Sequence, residues 1–125
     1  MINLKPEVLS ALENNQELIG LLGGPRIYYL KAPDAMEFPR ITFFEMTNFD
    51  DQYADDAALS TEVHFQIDIW SKDGNMTSIA QEVDKTMKQI GFRRTSSIDL
   101  YEDDTEVYHK ALRYETNRII EEVSV

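Results

Sequence analysis

The chain has no cysteine, which excludes disulfide stapling, thiolate catalysis and thiolate metal sites together. It also has no run near the ~18 apolar residues that a membrane-spanning helix needs. Its start, MINLKPEVLS, carries neither the basic opening nor the apolar stretch of a secretion signal. The expectation is a protein made and kept in a cytoplasm, with no membrane partner. Positive charge is scarce: 12 basic residues stand against 23 acidic ones, a formal charge of -11 over 125 residues. That sign repels nucleic-acid phosphates over about 10 Å at moderate salt, so a nucleic-acid reader is not expected. Glycines are few, and none is set for a phosphate cradle. Gly23-Gly24 follows a helical pattern instead of preceding one, and Gly74 stands alone.

The groups that carry enzymatic chemistry are equally thin. His64 and His109 both fall on predicted strands and can meet across a sheet, but no third ligand at suitable spacing stands beside either. The acids Asp50, Asp51, Asp55 and Asp56, and separately Asp99, Glu102, Asp103, Asp104 and Glu106, lack the glycine and closing glutamate of a calcium loop. Each set fits a solvated turn. No serine sits in a G-x-S-x-G elbow. The sequence therefore offers no catalytic residue, no metal ligand set and no cofactor site, and a non-enzymatic protein is expected. A small ligand-binding or enzymatic α+β domain is the alternative of a different class, because a fold never excludes a function.

What is present is a packed core. Hydrophobic residues make up 42% of the chain and aromatics 10%, enough for one ordinary domain spanning residues 1–125. The clearest pattern runs from Thr61 to Phe92. Thr61, Val63, Phe65, Ile67 and Ile69 alternate with Glu62, His64, Gln66, Asp68 and Trp70, the period-2 mark of a half-buried strand over 61–71. Met76, Ile79, Ala80, Val83, Met87 and Ile90 then form one stripe of a helix over 76–90, with Gly91 placed as its cap. Pro6 followed by Val8, Leu9, Leu12, Ile19 and Leu22 predicts a helix over 6–22, with Asn14-Asn15 as its weak point and Gly23-Gly24-Pro25 as its stop. Further strands are predicted over 27–30, 40–47, 92–101 and 107–119, the last two as a hairpin. Asn48 to Ser60 is predicted to be a mobile acidic loop. The fold class is α+β: a mainly antiparallel sheet of four to five strands packed by two helices.

The order of these pieces is more telling than any motif. A helix ending in LLGGPRIY leads through the Phe38-Pro39 entry of FPRITFFEM to EVHFQIDIWSKDG, then to the helix TSIAQEVDKTMKQIGF and a hairpin. From about Leu9 to Tyr114 this resembles the small tail completion, or head-to-tail joining, proteins of long-tailed bacteriophages and prophages. The resemblance implies a structural protein, assembled as a hexameric ring where tail meets head, whose partners are its own copies, the tail tube and the head connector. It implies residence in the host bacterial cytoplasm during assembly and then in the virion tail or neck. A tail terminator that caps the tube is the alternative within the same class. Acidity suits a ring lumen through which DNA passes without being bound, with Asp50, Asp51, Tyr53, Asp55 and Asp56, or the turn Glu102, Asp103 and Asp104, as lumen or docking elements. The polar face of the long strand, Glu62, Gln66, Asp68 and Trp70, supplies the candidate subunit contact; for Trp70, packing under the turn at Asp73-Gly74 is the competing expectation.

Overall fold

Residues 1–55 and 57–120 are described by a computed structural model. The order of elements is α1 (Lys5–Glu13), α2 (Gln16–Leu22), β1 (Ile27–Tyr29), β2 (Arg40–Ala54), β3 (Ala57–Ser71), α3 (Thr77–Gln89), β4 (Arg93–Glu102) and β5 (Val107–Ile119). The strands form one five-stranded sheet in the order β1-β2-β3-β5-β4. Among the described residues only the short β1–β2 pair is parallel, and the rest are antiparallel. The fold is α+β, with three helices among the described residues where two were expected.

The extra helix comes from Asn15. Its backbone leaves the helical region, and its side-chain oxygen accepts the Leu18 N–H at 3.0 Å, so it caps a new helix. Its amide then donates to Thr86 Oγ1 at 2.9 Å and Glu82 Oε1 at 3.1 Å on α3. The expected single helix over 6–22 is thus broken by a side chain whose bonds all run to α2 and α3. Both of the strong stops act as glycine caps. Gly23 (φ 80°) ends α2, with Gly24 N–H bonded to Ile19 O, and Gly91 (φ 90°) ends α3, with Phe92 N–H bonded to Met87 O. The second cap aims Phe92 into the core, edge-on to Phe65 at 5.8 Å.

The second correction concerns Asn48 to Ser60, expected as a loop. It is a continuation of β2 and β3 as a paired ribbon, in register from Asn48↔Val63 to Ala54↔Ala57. A bulge between Glu45 and Thr47 resets the register, so β2 runs on past Thr47. Side chains then tie the ribbon: Ser60 Oγ donates to the Asp51 carbonyl at 2.8 Å, and Asn117 of β5 donates to the Asp51 carboxylate at 3.2 Å.

One face of the sheet is dry. Ile41, Phe43, Val63, Phe65, Ile67 and Ile69 meet Val8, Leu12, Leu18, Leu22, Ile79, Val83 and Met87 of the helices, all of them buried. At about 25 cal/mol per Å² of apolar area this face supplies the main driving force for folding. Among the described residues, no helix is long and apolar enough to cross a membrane.

Candidate functional site

All three helices pack on the same side, so the other face of the sheet is left without a covering layer among the described residues. Strand register assigns its occupants directly, because residues in register share a face. Arg40, Trp70, His109 and Leu100 form one row across β2, β3, β5 and β4. Thr42, Asp68, Ala111 and Ile98 form the next, then Phe44, Gln66, Arg113 and Ser96, and then Thr47, His64, Glu115 and Arg93. The four residues expected at a subunit contact, Glu62, Gln66, Asp68 and Trp70, all lie on this face.

Their side chains are already committed within the chain to different degrees. Asp68 is only 4% exposed, and one of its oxygens accepts from His109 Nε2 at 2.7 Å and from Gln66 Nε2 at 2.8 Å. Arg113 donates in turn to Gln66 Oε1 at 3.1 Å. Trp70 is half-buried: its ring stacks on His109 with centroids 3.8 Å apart, and its N–H donates to Thr42 Oγ1 at 2.9 Å. The tryptophan is therefore held on the open face between its cross-strand neighbours, with His109 stacked on its ring and the Arg40 guanidinium 5.4 Å from the ring centroid. Glu62 and Gln66 are half-buried.

The hydrogen bonds of His64 and His109 run to carboxylates, so neither is paired with a nucleophile among the described residues. His109 faces Trp70, six positions along β3 from His64, and the two histidines do not share a site. At the Trp70 end, Phe38, Arg40, Trp70, Lys72 and Val107 surround a hollow of about 360 Å³. Arg40 lies 4.6 Å over the Phe38 ring, and burial pulls its guanidinium below its ordinary pKa.

The candidate lumen residues sit on the ribbon. Asp50 and Asp51 lie along β2, Tyr53 is 62% exposed near its tip, and Asp55 takes φ 51° in the turn; Asp56 lies outside the described residues. The other acidic turn, after Glu102, is at the opposite end of the sheet, where Tyr108 pairs with Ser71. Strands of that length separate the two acidic ends by roughly 35–40 Å.

Ile98 and Leu100, 39% and 49% exposed, were not singled out from the sequence. They lie on β4, the outermost strand, whose second edge has no partner among the described residues. A weakly alternating ten-residue strand gives no sign of which face is covered, and the needed information is its position at the sheet edge. Arg113 and Glu115 were missed because their relevant neighbours are on another strand.

The family described as Tail completion protein gp17 matches residues 6–117 of this chain. No curated protein matches in sequence. Among solved structures, a chain from "Virion of native gene transfer agent (GTA) particle" aligns with a TM-score of 0.65 and 10% identity, covering 90% of this chain and 92% of that one. A second solved chain aligns with a TM-score of 0.55 and 7% identity, covering 98% of this chain and 100% of that one. Likeness at such identities is a likeness of fold.

Proposed function

The chain belongs to the tail completion protein gp17 family, and from that premise we propose that it is a non-enzymatic structural protein that completes a phage or prophage tail as a hexameric ring at the tail-to-head junction. Its partners are its own copies, the tail tube and the head connector, and it moves from the host cytoplasm into the tail or neck of the particle. The observation that carries the reading is the family match over residues 6–117. The fold likeness to a chain of a virion supports it.

The uncovered sheet face and the free β4 edge give the ring its contacts. A rotating assembly needs two different patches that meet head to tail. The β4 edge, with Ile98 and Leu100 beside it, offers one, since an edge without a partner among the described residues presents N–H and C=O groups for pairing. Glu62, Gln66 and Trp70 belong to the face that the next copy covers, and Asp68 acts from beneath by holding His109 and Gln66 in place. The ribbon bearing Asp50, Asp51, Tyr53 and Asp55 reaches beyond the sheet toward the lumen or a docking partner, and the net charge of -11 keeps DNA moving past without adhesion.

Deleting the chain's gene from a producing phage or prophage should yield separate heads and tails with few joined particles. Normal yields of joined particles would refute the assignment. Exchanging Asp50 and Asp55 for lysine should slow genome ejection in a chain whose circular dichroism shows it folded, and unaltered infectivity would remove the lumen role.

A further inference from the structure

The open face holds a cluster that shares only Glu62 with the proposed subunit contact. Glu62 and His64 are two positions apart on β3 and so emerge on one side, and Glu115 stands directly opposite His64 on β5. His64 Nε2 is 2.9 Å from Glu62 Oε2 and 3.7 Å from Glu115 Oε2. The three ligand atoms lie within 4.8 Å of one another. Ligands held 2.0–2.1 Å from a tetrahedral ion are about 3.3 Å apart, and the two separations from His64 Nε2 straddle that value. We propose that Glu62, His64 and Glu115 bind one divalent ion of the zinc class per chain, linking the two central strands of the sheet.

The surroundings are those of a built site. The side chains of Glu62, His64 and Glu115 are 31%, 26% and 20% exposed, so they are not waving in solvent. Arg93 on β4 bonds to Oε1 of Glu115, which leaves Oε2 turned toward the imidazole. An outer partner of this kind fixes a ligating carboxylate and tunes its donor strength. The Phe49 ring lies nearly parallel to the His64 imidazole, centroids 6.3 Å apart. A hollow of about 260 Å³ lined by Glu62, Gly91, Arg93, Glu115, Thr116 and Asn117 lies beside the two carboxylates and gives water access to them.

The donor set selects the metal. One imidazole suits zinc and its neighbours in the transition series, whereas magnesium and calcium take oxygen ligands alone. Two carboxylates balance the double charge. On binding, Nε2 turns its lone pair to the ion, the imidazole proton resides on Nδ1, and the His64–Glu62 hydrogen bond is replaced by the shared metal. His109 is a useful contrast: its one acid neighbour is the buried Asp68, and Trp70 covers a face of its ring.

The test is titration of the full tag-free chain, stripped with chelator, with zinc by calorimetry and with cobalt by visible absorption. One equivalent should bind, and His64→Asn and Glu115→Gln should each weaken it by about tenfold or more. His109→Gln should leave the affinity unchanged. Circular dichroism of the metal-free variants establishes that each is folded, and because the two ligand variants sit on different strands, one folded variant suffices. No binding at sub-millimolar zinc, or equal affinity in a folded His64→Asn or Glu115→Gln chain, overturns the site. Loss of binding on changing His109 alone overturns it as well.

Discussion

Replacing His109 by alanine should cost the folded chain about 2–4 kcal/mol. The imidazole contributes to two contacts. Its Nε2 lies 2.7 Å from a carboxylate oxygen of Asp68, and its ring stacks on Trp70 with centroids 3.8 Å apart. A hydrogen bond to a charged group contributes about 1.5–3 kcal/mol and an aromatic pair about 0.5–1.5 kcal/mol. Water cannot readily replace the lost donor, since Asp68 is 4% exposed, and Gln66 is then its remaining side-chain partner. For a chain of this length each kcal/mol lowers the melting temperature by about 4 °C, so a drop of about 8–16 °C follows. Equilibrium unfolding in urea is the direct assay, with the midpoint falling and the slope unchanged. A double-mutant cycle with Asp68→Ala should return a coupling of about 1–3 kcal/mol. A loss below about 0.5 kcal/mol in His109→Ala, or a cycle with no coupling, would show that this contact does not hold the open face in shape.

Three other outcomes follow from the same structure. Gly91→Ala meets no atom within 4 Å but must keep φ near 90°, so a loss of about 1 kcal/mol in urea unfolding is expected from backbone strain alone, and no loss would contradict the cap. Tyr114, fully buried, donates to Asp84 Oδ1 at 3.0 Å; burial and the Asp84 charge push its phenol up. Burial alone would raise the Asp84 carboxyl, but hydrogen bonds from Lys88 and Tyr114, with the Lys88 and Arg94 charges, hold it below its ordinary value. A depressed native pKa gives stability that is present above about pH 4 and is lost as the pH falls through the native value. Tyr114→Phe should therefore lose about 1 kcal/mol at neutral pH and less in acid, and a loss independent of pH would contradict the coupling. Leu100→Lys, at a side chain 49% exposed, should change stability by less than about 0.5 kcal/mol yet weaken self-association, read as mass in solution; unchanged rings would remove β4 from the contact.

Much of the fold was legible because its strongest signals are local. Alternation from Thr61 to Trp70 and the stripe from Met76 to Ile90 each bury one side against a single core, and period alone reveals that. The glycine stops at Gly23 and Gly91 were legible for the same reason, a left-handed cap being a property of a few residues. The break at Asn15 was visible only as a weak point, since its local cap on Leu18 is joined by a bond to Thr86, 71 residues away. The acidic ribbon was misread because Asp50 and Asp51 have low strand propensity, and cross-strand pairing and bonds from Ser60 and Asn117 override it. The open face was half legible. Parity placed Glu62, Gln66, Asp68 and Trp70 on it, but the partners that bury Asp68 and hold Trp70 lie on β2 and β5, and no spacing within β3 encodes them.

Electron microscopy of the purified chain after incubation with isolated tails, with and without Leu100→Lys, tests the central claim most directly. The expected result is a ring of density at one end of each tail tube with the parent chain and bare ends with the variant. Tube ends left bare by the parent chain, with the chain remaining free in solution, would contradict a role in tail completion.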